Sequence, residues 1–131
     1  MDYIRPASLE ALKSQPLARR ENGAMASRIG VSRIAPGGTS PAGFHMHDVD
    51  QYYYILTGTL KVEIAKETFE EASGKNIVTD EYVVEPNSLI FFPARVPHRN
   101  WNEGPDAVYH ISILAPEPEP GTLESIPVSR E

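Results

Sequence analysis

His45-Met46-His47-Asp48-Val49-Asp50-Gln51, running on into Tyr52-Tyr53-Tyr54-Ile55-Leu56-Thr57-Gly58, is the stretch that decides how this chain folds. The chain has four histidines, and two of them stand here one residue apart. Side chains alternate across a strand, so His45 and His47 can aim two imidazoles at one point. Neutral imidazole is the commonest protein ligand for first-row transition metals. Gln51 adds an oxygen donor. A third histidine, His98, ends the turn-rich segment Phe92-Pro93-Ala94-Arg95-Val96-Pro97-His98 far downstream. An isolated His-x-His arises readily by chance. The spacing of its surroundings carries more.

The segment from His45 to Gly58 resembles the first motif of the cupin superfamily: His-x-His, a short gap, a glutamate, six residues and a glycine. Gln51 stands where glutamate is usual. The segment Asn87-Ser88-Leu89-Ile90-Phe91-Phe92-Pro93-Ala94-Arg95-Val96-Pro97-His98-Arg99-Asn100-Trp101-Asn102 resembles the second motif. Pro93, His98 and Asn102 match it, while Asn87 and Arg95 replace its two glycines. Asparagine tolerates a left-handed backbone and arginine does so less readily, so the chain near Arg95 is expected to depart from the family norm. The resemblance implies an all-β fold, the cupin double-stranded β-helix or jelly-roll barrel. It implies a small, single-domain, metal-binding protein over residues 1–131, with the barrel core at about 25–115 and a proline-rich tail over 115–131. It further implies that His45, His47, Gln51 and His98 converge at one end of the barrel, and that the chain forms a homodimer.

Three histidines, one oxygen and open positions suit one divalent transition metal per chain, among Fe, Mn, Ni, Co, Cu and Zn. Gln51 either ligates through its amide oxygen or hydrogen-bonds within the site. A neutral amide leaves more charge on a metal than a glutamate would, which makes the metal a stronger Lewis acid.

Size and composition set outer bounds. One domain of 131 residues can bury a substantial core. The net charge of −6 gives no electrostatic footprint for nucleic acid. Without cysteine, disulfides and thiolate chemistry do not operate. No apolar run approaches a membrane span, and the start of the chain lacks a secretion signal, so a cytoplasmic location is the default expectation.

Along the chain, Ser8 as N-cap with Glu10, Leu9 and Leu12 predicts a short N-terminal helix over 6–14. Residues 15–23 read as a connecting loop. Strands are expected at Met25–Ala35, Gln51–Leu56, Leu60–Ala65, Ile77–Val84 and Ala107–Leu114, with a buried apolar run at Leu89–Phe92. Residues 66–76 are a solvated loop or a short helical excursion. The prolines at 116, 118, 120 and 127 predict a tail that wraps the surface or a neighbouring subunit.

Alternation nominates the neighbours of the site. Tyr53 shares the inner face with Gln51 and is either a hydrogen-bond donor to substrate or a core aromatic. His110 is either a pocket acid–base group or a satisfied strand histidine. Asp48 and Asp50 read as solvated carboxylates. Phe44 and Trp101 are candidates for a pocket wall or for core. Arg28 and Arg33 are five residues apart and fall on opposite faces, so at most one looks inward. An inward arginine would imply a carboxylate-bearing substrate. The expected function is a metal-dependent enzyme acting on a small organic molecule, by Lewis-acid isomerase, lyase or cyclase chemistry or by O₂-dependent dioxygenation. The alternative is a non-catalytic module that binds a metabolite or a metal.

Overall fold

The computed structural model describes residues 3–8, 14–39 and 43–129. Among the described residues ten strands run in chain order: β1 (Ser14–Ala18), β2 (Arg28–Ile34), β3 (His45–Met46), β4 (Asp50–Thr57), β5 (Leu60–Ala65), β6 (Thr79–Val84), β7 (Leu89–Phe92), β8 (His98–Trp101), β9 (Val108–Ala115) and β10 (Ile126–Pro127). They form two five-stranded sheets, β1-β2-β9-β4-β7 and β10-β3-β8-β5-β6, with every pairing antiparallel. No helix among the described residues is long and apolar enough to cross a membrane.

Alternation sets which residues face in. On β9, Val108, His110 and Leu114 are buried, and their inward row pairs with the inward rows of β2 and β4. Ile34, Tyr53, Ile55, Leu60, Val62, Ile90, Phe92 and Val108 form the core between the sheets. Full burial of side chains such as Ile55 and Phe92 stabilises the fold by roughly 1.5–3 kcal/mol each. A smaller cluster of Phe44, Met46 and Val128 lies outside β3, with Phe69, Ile77 and Ile126 packed against it. The alternation that turns His45 and His47 inward turns Phe44 and Met46 to that outer cluster.

Gly58 makes the tight turn from β4 to β5 with φ at 84°, and a Cβ there would meet Ala107 O at 2.6 Å. Only glycine fits both demands. At the two positions where the second motif usually has glycine, the backbone is left-handed all the same. Asn87 and Arg95 both have φ at 66°. The expected departure near Arg95 is therefore not what the structure shows. Arg95 is instead held in place: it pairs with Asp48 at 2.7 Å and forks onto Glu70 at 2.7 and 3.0 Å. Its backbone N–H donates to His47 O at 2.8 Å, tying the two motifs together.

Other expectations need correction. The N-terminal helix is not seen: residues 3–8 have no helix, Ser14 opens a strand, and residues 9–13 lie outside the described residues. Residues 15–23 are not a plain loop, since β1 pairs with β2 and a 3₁₀ turn follows at Arg20–Asn22. Leu89 and Phe91 are exposed, because β7 is an edge strand with one face out. For residues 66–76 the loop alternative holds, since they form turns and bends. The tail folds back on its own chain, where β10 pairs with β3 and brings Pro127 opposite His45 at a sheet edge, a place that proline tolerates.

Candidate metal centre

β3 and β8 bring the histidines together. His45 pairs directly with His98, and His47 follows one residue after β3. One ring nitrogen from each of His45, His47 and His98 lies within 4.8 Å of the others, and all three side chains are buried. Each imidazole is fixed from behind. His45 Nδ1–H donates to Gly43 O at 3.0 Å, His47 Nδ1–H to Glu124 O at 2.6 Å, and His98 Nδ1–H to Val96 O at 3.0 Å. A carbonyl only accepts, so each Nδ1 carries the proton and each Nε2 keeps its lone pair. All three Nε2 atoms are buried and have no hydrogen-bond partner among the described residues.

Burial also keeps two of these rings, His45 and His98, neutral. It holds the His45 pKa at about 4 and the His98 pKa at about 3, each lowered further by a neighbouring histidine. Three imidazoles that converge with Nε2 atoms buried and unpartnered among the described residues make a poor packing arrangement and a good ligand set. Gln51 belongs to the same level of the barrel. It pairs with Phe92, whose ring stacks on His98 with centroids 4.0 Å apart. Its Oε1 is buried without a hydrogen-bond partner among the described residues. The residues present fit a transition metal.

One layer deeper stand Tyr53 and His110, ring on ring with centroids 3.9 Å apart. Burial pushes the Tyr53 hydroxyl pKa well up, against a hydrogen bond with Asn100 that lowers it. The phenol therefore stays protonated and can donate. Burial lowers His110 to about 4, so this ring is neutral too, and its Nε2 has no hydrogen-bond partner among the described residues. Asn100 was not singled out from the sequence. It lies two residues after His98 on the same strand and so on the same face, which was a readable signal. Glu124, behind His47, had no sequence signal at all.

The remaining candidates sort by contact. Asp50 accepts from Ala94 N–H at 2.9 Å and Asp48 from Arg95, so neither is a free solvated carboxylate. Phe44 is core outside β3. Trp101 is not a pocket wall: its ring lies under the Arg99 guanidinium at 4.3 Å, and its Nε1–H donates to Glu103. Arg28 and Arg33 do fall on opposite faces. Arg33 reaches Tyr109 OH at 3.2 Å, while Arg28 shares the inward row of Gly30, Ser32 and Ile34. Asn102 donates to Ile34 O and Asp106 O and clamps the barrel's far end.

The model of the cupin domain matches residues 30–114. The chain belongs to the cupin family. Comparison with curated proteins gives no match. Solved structures share the fold. A DMSP lyase aligns with a TM-score of 0.66 at 17% identity, over 88% of this cupin and 52% of its own chain. A protein from Thermus thermophilus gives 0.62 at 23% identity, over 86% and 91% of the two chains. Oxalate oxidase gives 0.58 at 22% identity, over 70% of this cupin and 42% of its own chain.

Proposed function

We propose that this cupin is a metal-dependent enzyme that moves a proton on a small organic molecule, with His45, His47, His98 and Gln51 as ligands of one divalent transition metal. The observation that carries the reading is the set of four buried donor atoms, three Nε2 and one Oε1, unpartnered among the described residues and drawn from both motifs. The metal, when bound, supplies a Lewis acid that polarises a carbonyl or carboxyl oxygen. The neutral Gln51 favours this chemistry over oxidation, because it leaves the full charge of the metal uncompensated.

Tyr53 and His110 are the proposed proton-handling pair. A phenol kept protonated by burial can donate to a substrate oxygen, and a neutral buried imidazole with a free Nε2 lone pair can accept a proton. Asn100 holds the Tyr53 hydroxyl in place. The protein is proposed to work as a homodimer. Support comes from the apolar groove of about 380 Å³ between the β6 and β7 edges, where Val83, Leu89 and Phe91 are exposed.

Solvent-deuterium incorporation into a panel of small carbonyl compounds, followed by NMR on metal-loaded protein, tests this reading. Oxygen uptake is measured alongside. Deuterium uptake that needs metal and is lost in Tyr53→Phe supports it. Metal-dependent oxygen consumption without deuterium uptake would favour the oxidase reading, and neither signal in a protein that holds metal would leave a binding module.

A further inference from the structure

The barrel end that holds the histidines is also lined by an arginine. Arg28 pairs with Leu114, and Leu114 pairs with Gln51. Arg28 therefore stands two strands from Gln51 at the same level, about 10 Å away at the usual strand spacing. Its side chain shares a cleft of about 50 Å³ with Ser14, Gly30, Ser112, Leu114 and Glu124. The lining is polar, and at Gly30 the backbone of β1 closes in, since a Cβ there would meet Gln15 O at 2.6 Å.

The guanidinium is met by a carboxylate from the tail. Arg28 Nη1–H donates to Glu124 Oε2 at 2.6 Å. The same residue's backbone oxygen accepts from His47 Nδ1–H, so Glu124 touches both the inward arginine and a candidate ligand. The carboxylate is also close enough to Tyr53 for its charge to push the phenol's pKa further up. A carboxylate thus already occupies the guanidinium of Arg28, on a residue that also touches His47.

We propose that Arg28 anchors the carboxylate of a small carboxylic-acid substrate, and that the Glu124 side chain holds that carboxylate's place in the ligand-free protein. This deepens the functional reading above by naming a substrate class for the same site. A planar guanidinium recognises a carboxylate in two-point fashion, which would orient the rest of the substrate toward the metal. Ser14 and Ser112 hydroxyls supply further donors and acceptors. The closed cleft is too small for a molecule of several heavy atoms. The Glu124 side chain must swing out, and it can do so while its backbone oxygen stays on His47. Half-exposed ion pairs of this kind are weak, so displacement is easy.

The test is calorimetric titration of acetate into the full-length, zinc-loaded chain. Glu124→Gln should tighten acetate binding about two- to fivefold, the range expected when a weak competing ion pair is removed. Arg28→Gln should weaken binding tenfold or more, in the parent and in the Glu124→Gln background, and Arg28→Lys should recover part of it. Glu81→Gln, a distant exposed carboxylate, controls for net charge and should change nothing. Acetamide should not respond to any of these changes. Equal acetate binding in parent, Glu124→Gln and both Arg28 variants, each shown to be folded by thermal unfolding, would make the pair a structural strut and overturn the inference. Zinc content measured on the same samples separates the two claims. Zinc bound with no Arg28 dependence sinks this inference alone. A chain that takes no zinc sinks the metal centre, while its acetate titration still reports on Arg28.

Discussion

Arg95 holds a left-handed backbone, φ 66°, at a position where glycine would adopt it freely, and this can be measured. The perturbation is a pair of substitutions, Arg95→Gly and Arg95→Ala. Both remove the ion pairs to Asp48 and Glu70, so these cancel in the comparison. Both keep the backbone bonds, Arg95 N–H to His47 O and Phe69 N–H to Arg95 O. What differs is the backbone itself. For a residue with a Cβ, left-handed geometry costs roughly 1–2 kcal/mol. Glycine loses about 0.5–1 kcal/mol through its greater freedom in the unfolded chain. Arg95→Gly should therefore be more stable than Arg95→Ala by about 0.5–1 kcal/mol, a difference in Tm of about 2–5 °C for a domain this size. Urea unfolding of the metal-free proteins, with equal m values, is the assay. If Arg95→Ala is as stable as Arg95→Gly or more so, the backbone at Arg95 is not strained and the reasoning fails.

Metal-free protein should lose stability in acid. Burial holds His45 at about 4, His98 at about 3 and His110 at about 4, against 6.5 for an ordinary histidine. The unfolded chain thus binds protons that the folded chain refuses, so stability is full above about pH 6.5, falls as the pH drops toward 4, and levels off below the folded values. His110 alone accounts for up to roughly 3 kcal/mol of that loss, and a flat stability profile from pH 7.5 to 4 would contradict the burial argument. At the candidate centre, Gln51→Glu should bind metal more tightly than the parent, because a carboxylate adds charge attraction, and Gln51→Ala more weakly. Competition with a chelator measures this, and equal affinities for all three would remove Gln51 from the ligand set. Sedimentation at micromolar concentration should show a dimer that Phe91→Glu dissociates. A monomer in the parent would defeat that proposal.

The histidines were legible because their chemistry and their spacing point the same way. His45 and His47 share a face by alternation, and the second motif places His98 opposite His45. That Ala107–Leu114 is a strand was legible too, since a period of two needs no knowledge of partners, but which of its faces turns inward was not. What failed depended on tertiary context. Ser14–Ala18 contains Pro16 and lacks alternation, and it is a strand only because β2 lies beside it. Leu89–Phe92 reads as a fully buried run, yet Leu89 and Phe91 are exposed because no strand or loop of the described chain covers that face. Trp101 alternates outward from His98 and Asn100, and Arg99 rather than a pocket takes up its ring. Glu124 could not be found at all, because its role comes from the fold-back of the tail onto β3.

Metal stoichiometry of protein purified without a histidine tag, measured beside His98→Ala, tests the central claim most directly. The account predicts about one transition metal ion per chain in the parent. It predicts a marked loss in His98→Ala, although His98 is far from His45 in sequence and meets it only across the β3–β8 pairing. A parent that takes up no metal, or a His98→Ala variant that holds metal as tightly as the parent, would contradict it.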